Sequence, residues 1–141
     1  DVSEDFRAGR LYLPREWLTE MGIGPDELGE PCHRETLALL VSRLVDLAEA
    51  YYASAIHGLS ALPPRAAWAV ATAHGVYREI GTILKRRGSE ALDARAKTGA
   101  ARKLAHVGHG IRLAAASRLP GTLPQRSSGL WTRPRIAGLD V

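Results

Sequence analysis

The spacing of apolar residues between Pro31 and His57 constrains the fold of this chain more than any other feature. Apolar side chains recur there at intervals of three and four, at Leu37, Leu40, Val41, Leu44, Leu47 and Tyr51. Such intervals place side chains on one face of an α-helix. The segment is therefore predicted to be a long amphipathic helix whose apolar face needs other helices to cover it.

Glycine and proline divide the rest of the chain into further helical segments. The predicted helices cover residues 1–8, Arg15–Met21, Arg65–Arg87 and about Ala100–Arg118. Gly22, Gly88 and Pro120 are expected to end the last three of these helices. No segment has the alternation of a strand, so we expect an all-α fold. Residues 1–120 should form one domain, and residues 121–141, which are rich in proline, glycine and serine, a mobile tail.

Composition bounds the class of protein. The chain has 141 residues, of which 45% are apolar and 24% charged, as in folded globular proteins. Its single cysteine, Cys32, excludes an internal disulfide and fits a reducing compartment. No signal peptide is recognisable, and no apolar run reaches the roughly 18–20 residues that span a bilayer.

Charge is divided unevenly along the chain. Residues 1–62 hold five arginines against eleven acidic residues, whereas residues 63–141 hold fourteen Lys plus Arg against four acidic residues. A basic half can bind nucleic acid, an anionic membrane surface or a polyphosphate ligand. Composition leaves all three open, although the aromatic residues are not interleaved with the basic ones as a single-strand binding surface requires.

The first fourteen residues, DVSEDFRAGRLYLP, carry the strongest chemical signal. If residues 1–8 are helical, Asp1 and Asp5 leave the same face about 5–6 Å apart. Paired carboxylates of this kind suit Mg²⁺, which takes further ligands from water and from substrate phosphates. Arg7 and Arg10 add planar groups that match phosphate oxygens. On spacing alone, a solvated acidic helix face remains the commoner explanation.

The wording of this stretch closely resembles the second aspartate-rich motif of the squalene and phytoene synthase family, which typically runs RDVxEDxxxGRxYLP. The similarity extends to about Pro120. Tyr77, in AHGVYREI, corresponds to a family tyrosine, and Arg95, in LDARAKTGAARKL, to a family arginine in the pattern RAxVxxxxKL. Lys97, Thr98 and Gly99 depart from the usual family sequence.

The resemblance implies the C-terminal half of an all-α isoprenoid-synthase helical bundle. It implies Mg²⁺ (or Mn²⁺) on Asp1 and Asp5, with Tyr77 beside the reacting carbocation. Substrate contacts would come from Arg7, Arg10, Tyr12, Tyr77 and Arg95. The implied partners are a prenyl diphosphate and the missing N-terminal half of the same synthase. The implied location is the cytoplasm, with peripheral contact at the inner face of the membrane left open.

The implied reaction is head-to-head condensation of two geranylgeranyl diphosphates to phytoene through a cyclopropyl diphosphate. A squalene or dehydrosqualene synthase using farnesyl diphosphate is the alternative within the family, because the sequence does not distinguish C15 from C20 tails. We expect little or no activity from this chain alone, since one aspartate pair is half of the family's metal site.

Two readings outside catalysis also remain. The first is a basic helical module that binds anionic lipid or nucleic acid, and the second is a degenerate half-enzyme kept as an interaction partner. A zinc site on His106 and His109 is disfavoured, because no third ligand has suitable spacing and Cys32 and His33 are far off in sequence.

Overall fold

The computed structural model describes residues 12–24, 26–92, 98–121, 123 and 130. The α-helices are α1 (Arg15–Glu20), α2 (Arg34–Ala55), α3 (Pro64–Arg87) and α4 (Ala100–Ala116). Short 3₁₀ helices cover Pro31–His33, Ile56–Ala61 and Gly88–Leu92. These described ranges contain no strand, so the predicted all-α fold is confirmed and is consistent with part of an isoprenoid synthase. The predicted helix over residues 1–8 and most of the predicted tail lie outside them.

Glycine ends α1 and α3 close to the predicted positions, whereas α4 ends at Ala116, two residues before the predicted Arg118. Gly22, just beyond α1, and Gly88, just beyond α3, have φ of 67° and 56°, a conformation that glycine adopts without steric cost. Pro64 occupies the first turn of α3, where its missing N–H is not needed. The helix predicted from Pro31 to His57 is shorter than expected. Its ends are 3₁₀ turns, because Pro31 opens the first and Gly58, a poor α-helix former, lies within the second.

The first core cluster joins α1 and the turn after it to the first half of α2. It consists of Leu13, Leu18, Ile23, Leu28, Leu37, Leu40 and Val41. The partly buried Trp17, Leu44, Leu84 and Leu92 pack against it. The Ser89 hydroxyl donates to Glu35 Oε1 at 2.6 Å and ties the 3₁₀ turn after α3 to the start of α2.

The second core cluster contains three alanines and one leucine and holds α3 against α4. It contains Leu59, Ala67, Ala71 and Ala114. Gly110 is buried in the same helix pair. Small side chains allow the two backbones to approach closely, which makes this crossing sensitive to added volume.

Several large apolar side chains of α2 and α4 remain exposed to solvent. Leu47 and Tyr51 continue the α2 stripe beyond Val41 but are 49% and 54% exposed. On α4, Leu104 and Ile111 are 72% and 54% exposed. The described residues therefore leave part of the apolar face of α2 and of α4 exposed to solvent. Among the helices described, none combines the length and the apolar character that crossing a membrane requires.

Candidate functional site

Two of the seven predicted site residues, Tyr12 and Tyr77, lie in the described part of the chain. The other five lie outside it: Asp1, Asp5, Arg7, Arg10 and Arg95. Their predicted roles, including the metal site, stay predictions. Tyr12 lies before α1 and is 69% exposed, and Tyr77 lies on α3 and is 62% exposed. Both phenol rings are therefore accessible to a ligand or to another segment of protein.

Tyr77 lines a shallow depression between α3 and α4, which we call the apolar hollow. Its volume is about 480 Å³, and it is lined by Trp68, Ala69, Thr72, Ala73, Val76, Tyr77 and Val107. Six of these residues come from α3 in two rows at four-residue intervals, so one helix face forms nearly the whole wall. The Thr72 hydroxyl is buried and the Trp68 indole nitrogen is bonded to Val107, so the Tyr77 hydroxyl is the one free polar group among the lining side chains. It can therefore accept an apolar chain but not a charged group.

Trp68 fixes the rim of the apolar hollow. Its indole Nε1 donates to the backbone oxygen of Val107 at 3.0 Å, which links α3 to α4. Behind α3, the Tyr52 ring meets the His74 ring edge to face at 5.3 Å between centroids. Partial burial raises the pKa of the Tyr52 phenol, and the nearby Glu49 and Tyr77 raise it further. Tyr52 thus remains a neutral phenol at neutral pH.

A second depression, which we call the polar groove, has a volume of about 780 Å³ and is lined by residues of α2, α3 and α4. Arg78 pairs with Glu49 through two hydrogen bonds from Nε, at 2.8 and 3.1 Å, and through Nη2 at 2.7 Å. Lys85 pairs with Asp46. These pairs are largely solvent-exposed, so each contributes at most about 1 kcal/mol. They align α2 with α3 more than they stabilise the fold.

The end of the polar groove at α4 holds a less exposed group of charges, which we call the Glu79 latch: Glu79, Arg102 and His106. The Glu79 side chain is only 8% exposed. Arg102 Nη1 donates to Oε1 at 2.8 Å, and His106 Nε2 donates to Oε2 at 2.6 Å. The hydrogen bond from His106 is the main reason that the pKa of Glu79 is lowered, and Arg102 lowers it further. Glu79 is therefore an ionised carboxylate held by two donors from the neighbouring helix.

Gly75 leaves the space that His106 occupies. A Cβ atom at position 75 would lie 2.6 Å from His106 Nδ1. Sequence reasoning considered His106 only as a metal ligand and missed the latch. A usable signal was present, because Gly75 and Glu79 are four residues apart on α3, as Arg102 and His106 are on α4. Two such pairs can face each other across a helix crossing.

A comparison with protein-family models shows which family the chain belongs to. The family model for squalene/phytoene synthase matches residues 1–102. The chain belongs to this family. The match includes Tyr12, Tyr77 and the five predicted site residues that lie outside the described ranges.

The curated proteins that are similar to this chain include bacterial phytoene synthases. The 15-cis-phytoene synthase of Enterobacter agglomerans is 45% identical over 134 residues, which cover 95% of this chain and 45% of that protein. The 15-cis-phytoene synthase of Paracoccus sp. is also 45% identical, over 97% of this chain and 44% of its own length. The chain thus spans less than half of the length of these squalene/phytoene synthase family members. No solved structure matches it significantly.

Proposed function

We propose that this chain is the C-terminal half of a phytoene synthase, which condenses two geranylgeranyl diphosphates head to head to phytoene through a cyclopropyl diphosphate intermediate. The observation that carries this proposal is the 45% identity to a 15-cis-phytoene synthase across 95% of the chain. The proposed enzyme is a prenyltransferase of carotenoid biosynthesis. The proposal includes a cytoplasmic location with peripheral contact at the inner membrane face, because the substrate tails are apolar.

The first half of the proposed chemistry concerns the leaving diphosphate. Ionisation of an allylic diphosphate leaves negative charge on the departing group, and that charge must be stabilised. Asp1 and Asp5 are hard oxygen donors of the kind that Mg²⁺ or Mn²⁺ accepts, and the bound metal would neutralise the diphosphate. Further contacts to the substrate would come from Arg7, Arg10, Tyr12 and Arg95. An arginine suits this role because its planar group donates two parallel hydrogen bonds to phosphate oxygens.

The second half concerns the carbocation, which water would quench. The apolar hollow supports this part of the proposal, because its aliphatic and aromatic lining can hold a prenyl tail, and water would be excluded once the rest of the synthase covers it. Tyr77 lies in its wall and is 62% exposed, so its ring is accessible from the hollow. An electron-rich ring stabilises a nearby cation through its quadrupole. Tyr77 is therefore the proposed aromatic partner of the reacting cation.

The proposed partner of this chain is the remaining half of the synthase. The apolar hollow is open to solvent, and α2, α3 and α4 all carry exposed apolar side chains. They include Leu47, Tyr51, Trp68, Tyr77, Leu104 and Ile111. Large exposed apolar surface is typical of an interaction site, so these side chains support a partner on this side of the helices. The relatives are more than twice as long as the matched region, which supplies enough protein to cover this surface and close the hollow.

Activity assays test the proposal with the full-length synthase and with this chain alone. Each is incubated with Mg²⁺ and geranylgeranyl diphosphate or farnesyl diphosphate, and the extracted products are separated by chromatography. We expect phytoene from the full-length protein with the C20 substrate and no product from the chain alone. A C30 product from farnesyl diphosphate, with no phytoene, would replace the proposed substrate by the shorter one. Phytoene from the isolated chain would refute the need for the other half.

A binding assay tests the metal site separately. Binding of inorganic diphosphate to the full-length protein is measured by calorimetry with and without Mg²⁺. Asp5→Ala should abolish the Mg²⁺-dependent part, whereas Asp26→Ala, which removes an exposed carboxylate in the turn before α2, should not change it. Diphosphate binding that needs no Mg²⁺, or that survives Asp5→Ala, would contradict the proposed site and favour a basic surface of general affinity for anions.

A further inference from the structure

Three metal-binding side chains meet in the short turn that leads into α2. The ligand atoms of Glu30, Cys32 and His33 all lie within 4.8 Å of one another. We propose that these three residues form a site for a borderline divalent transition metal, with Zn²⁺ as the best fit. The site shares no residue with the apolar hollow, the Glu79 latch or the predicted aspartate pair, so it stands apart from the proposed synthase chemistry.

The backbone of this turn holds the three residues in place before any metal binds. The Glu30 N–H donates to the Glu27 carbonyl at 2.9 Å, and the His33 N–H donates to the Glu30 carbonyl at 3.0 Å. Pro31 fixes its own φ between them. These bonds form a tight 3₁₀ turn in which Glu30, Cys32 and His33 project towards a common point. Little backbone entropy is therefore lost when an ion binds.

The side chains are close to the geometry that zinc requires. Zn²⁺ binds sulfur at about 2.3 Å, and imidazole nitrogen or carboxylate oxygen at about 2.0–2.2 Å, in a tetrahedron. Neighbouring ligand atoms then lie roughly 3.4–3.6 Å apart, from the same bond lengths. The Cys32 thiol already donates a hydrogen bond to Glu30 Oε2 at 3.5 Å. Because the three ligand atoms lie within 4.8 Å of one another, rotations of the exposed Glu30 and Cys32 side chains would bring them to this separation from the His33 nitrogen.

The kinds of ligand decide which metal fits. A thiolate, an imidazole and a carboxylate suit Zn²⁺ and similar transition metals, whereas Mg²⁺ prefers oxygen ligands alone. Glu30 and Cys32 are exposed and His33 is half-buried, so an ion can enter from solvent and keep a water as its fourth ligand. The thiol S–H bond breaks as the S–metal bond forms, and its proton passes to solvent.

The position of the site indicates a structural role. The turn immediately before it carries Leu28, which is 2% exposed and belongs to the core cluster under α2. His33 immediately precedes the first residue of α2. An ion shared by Glu30 and His33 would therefore hold the Leu28 turn against the start of α2 and resist its local opening.

Cobalt binding provides the test. Co²⁺ is titrated into the reduced chain, and the thiolate-to-cobalt absorption band is followed; Zn²⁺ should then displace the cobalt and abolish the band. Because Cys32 is the only cysteine, the band reports this site alone. Removing a residue that only hydrogen-bonds to a metal ligand typically lowers the metal affinity about 10–100-fold. We therefore expect Glu30→Gln and His33→Ala to weaken binding at least about tenfold, and Cys32→Ser to abolish the band.

Glu27→Gln is the matched control. Glu27 is a neighbouring carboxylate whose Oε2 accepts from the Gly24 N–H at 2.8 Å, a bond that glutamine can keep. It removes the same charge as Glu30→Gln without removing a ligand, so binding should stay within about threefold of wild type. Zn²⁺ should also raise the thermal midpoint of the wild-type chain but not of Cys32→Ser. Absence of the band, or equal loss of affinity in the two glutamine variants, would overturn the proposal.

Discussion

The crossing of α3 and α4 allows a quantitative test, because α4 contains one buried and one exposed glycine two residues apart. An alanine Cβ at Gly110 would lie 2.5 Å from Thr72 Oγ1, 2.9 Å from its backbone nitrogen and 3.2 Å from its Cα. At Gly108, nothing lies within 4 Å of the added atom. Ordinary carbon contacts are about 3.5–4.0 Å. A rotamer change can relieve the contact with the Thr72 hydroxyl, but not those with its backbone.

The expected free energies of unfolding follow from two opposing effects. Replacing glycine by alanine inside a helix stabilises it by up to about 1 kcal/mol, and this gain applies at both positions. Overpacking a close contact costs about 1–3 kcal/mol, and this cost applies only at Gly110. We therefore expect Gly108→Ala to be stabilised by up to about 1 kcal/mol. The difference between the two variants, in which the helix-propensity gain cancels, should be about 1–3 kcal/mol.

Urea denaturation of the isolated chain, followed by helical circular dichroism, measures both variants against wild type. Equal slopes with urea concentration are required, so that a shift of the midpoint reports stability rather than a change in unfolded compactness. The free energy of unfolding should decrease in the order Gly108→Ala, wild type, Gly110→Ala. Gly110→Ala should equal wild type only if a small shift of the two helices relieves the contact. If Gly110→Ala proved as stable as Gly108→Ala, the close approach of α3 to α4 would be refuted.

Two further predictions concern the latch and the first core cluster. Glu79 has a pKa below the ordinary value of 4.5, so its stabilising effect is present above that value and is lost as the pH falls through the lowered pKa. Glu79→Gln should therefore lower the free energy of unfolding at neutral pH. Between pH 7 and pH 3, its free energy of unfolding should fall less than that of wild type, and an equal fall in the two proteins would exclude the latch. Leu40→Ala, at a fully buried position, should cost about 2–5 kcal/mol, whereas Leu39→Ala, at a 64% exposed position, should cost less than about 0.5 kcal/mol. Similar losses in both would show that the register of α2 is wrong.

Apolar periodicity could predict the helices but not which parts of each apolar stripe are buried. Leu37, Leu40 and Val41 follow the same spacing as Leu47 and Tyr51, yet the structure buries the first three and exposes the other two. Spacing fixes the direction in which a side chain leaves its helix. Burial depends on whether another segment lies there, and the first core cluster covers only the first half of α2.

The proposed catalytic residues could be identified from the sequence, whereas the Glu79 latch and the proposed zinc site required the structure. Asp1, Asp5 and Arg95 were identified through motif wording, which is local in sequence and survives without any structure, and they remain predictions. Glu79 and His106 are 27 residues apart. No local sequence pattern predicts that pair, because the carboxylate meets the imidazole only where α3 crosses α4. Glu30, Cys32 and His33 are local in sequence, but their convergence depends on the hydrogen-bonded turn.

The sequence by itself determined the helical class, the glycine and proline boundaries and the family. These depend on side-chain interval, backbone φ limits and short motifs, all of which are properties of neighbouring residues. Three features depend on the tertiary structure: the apolar hollow at Tyr77, the close approach of α3 and α4 at Gly110, and the ionised state of Glu79. Each requires atoms from two helices at a defined distance, and such distances are set by packing between segments far apart in the chain.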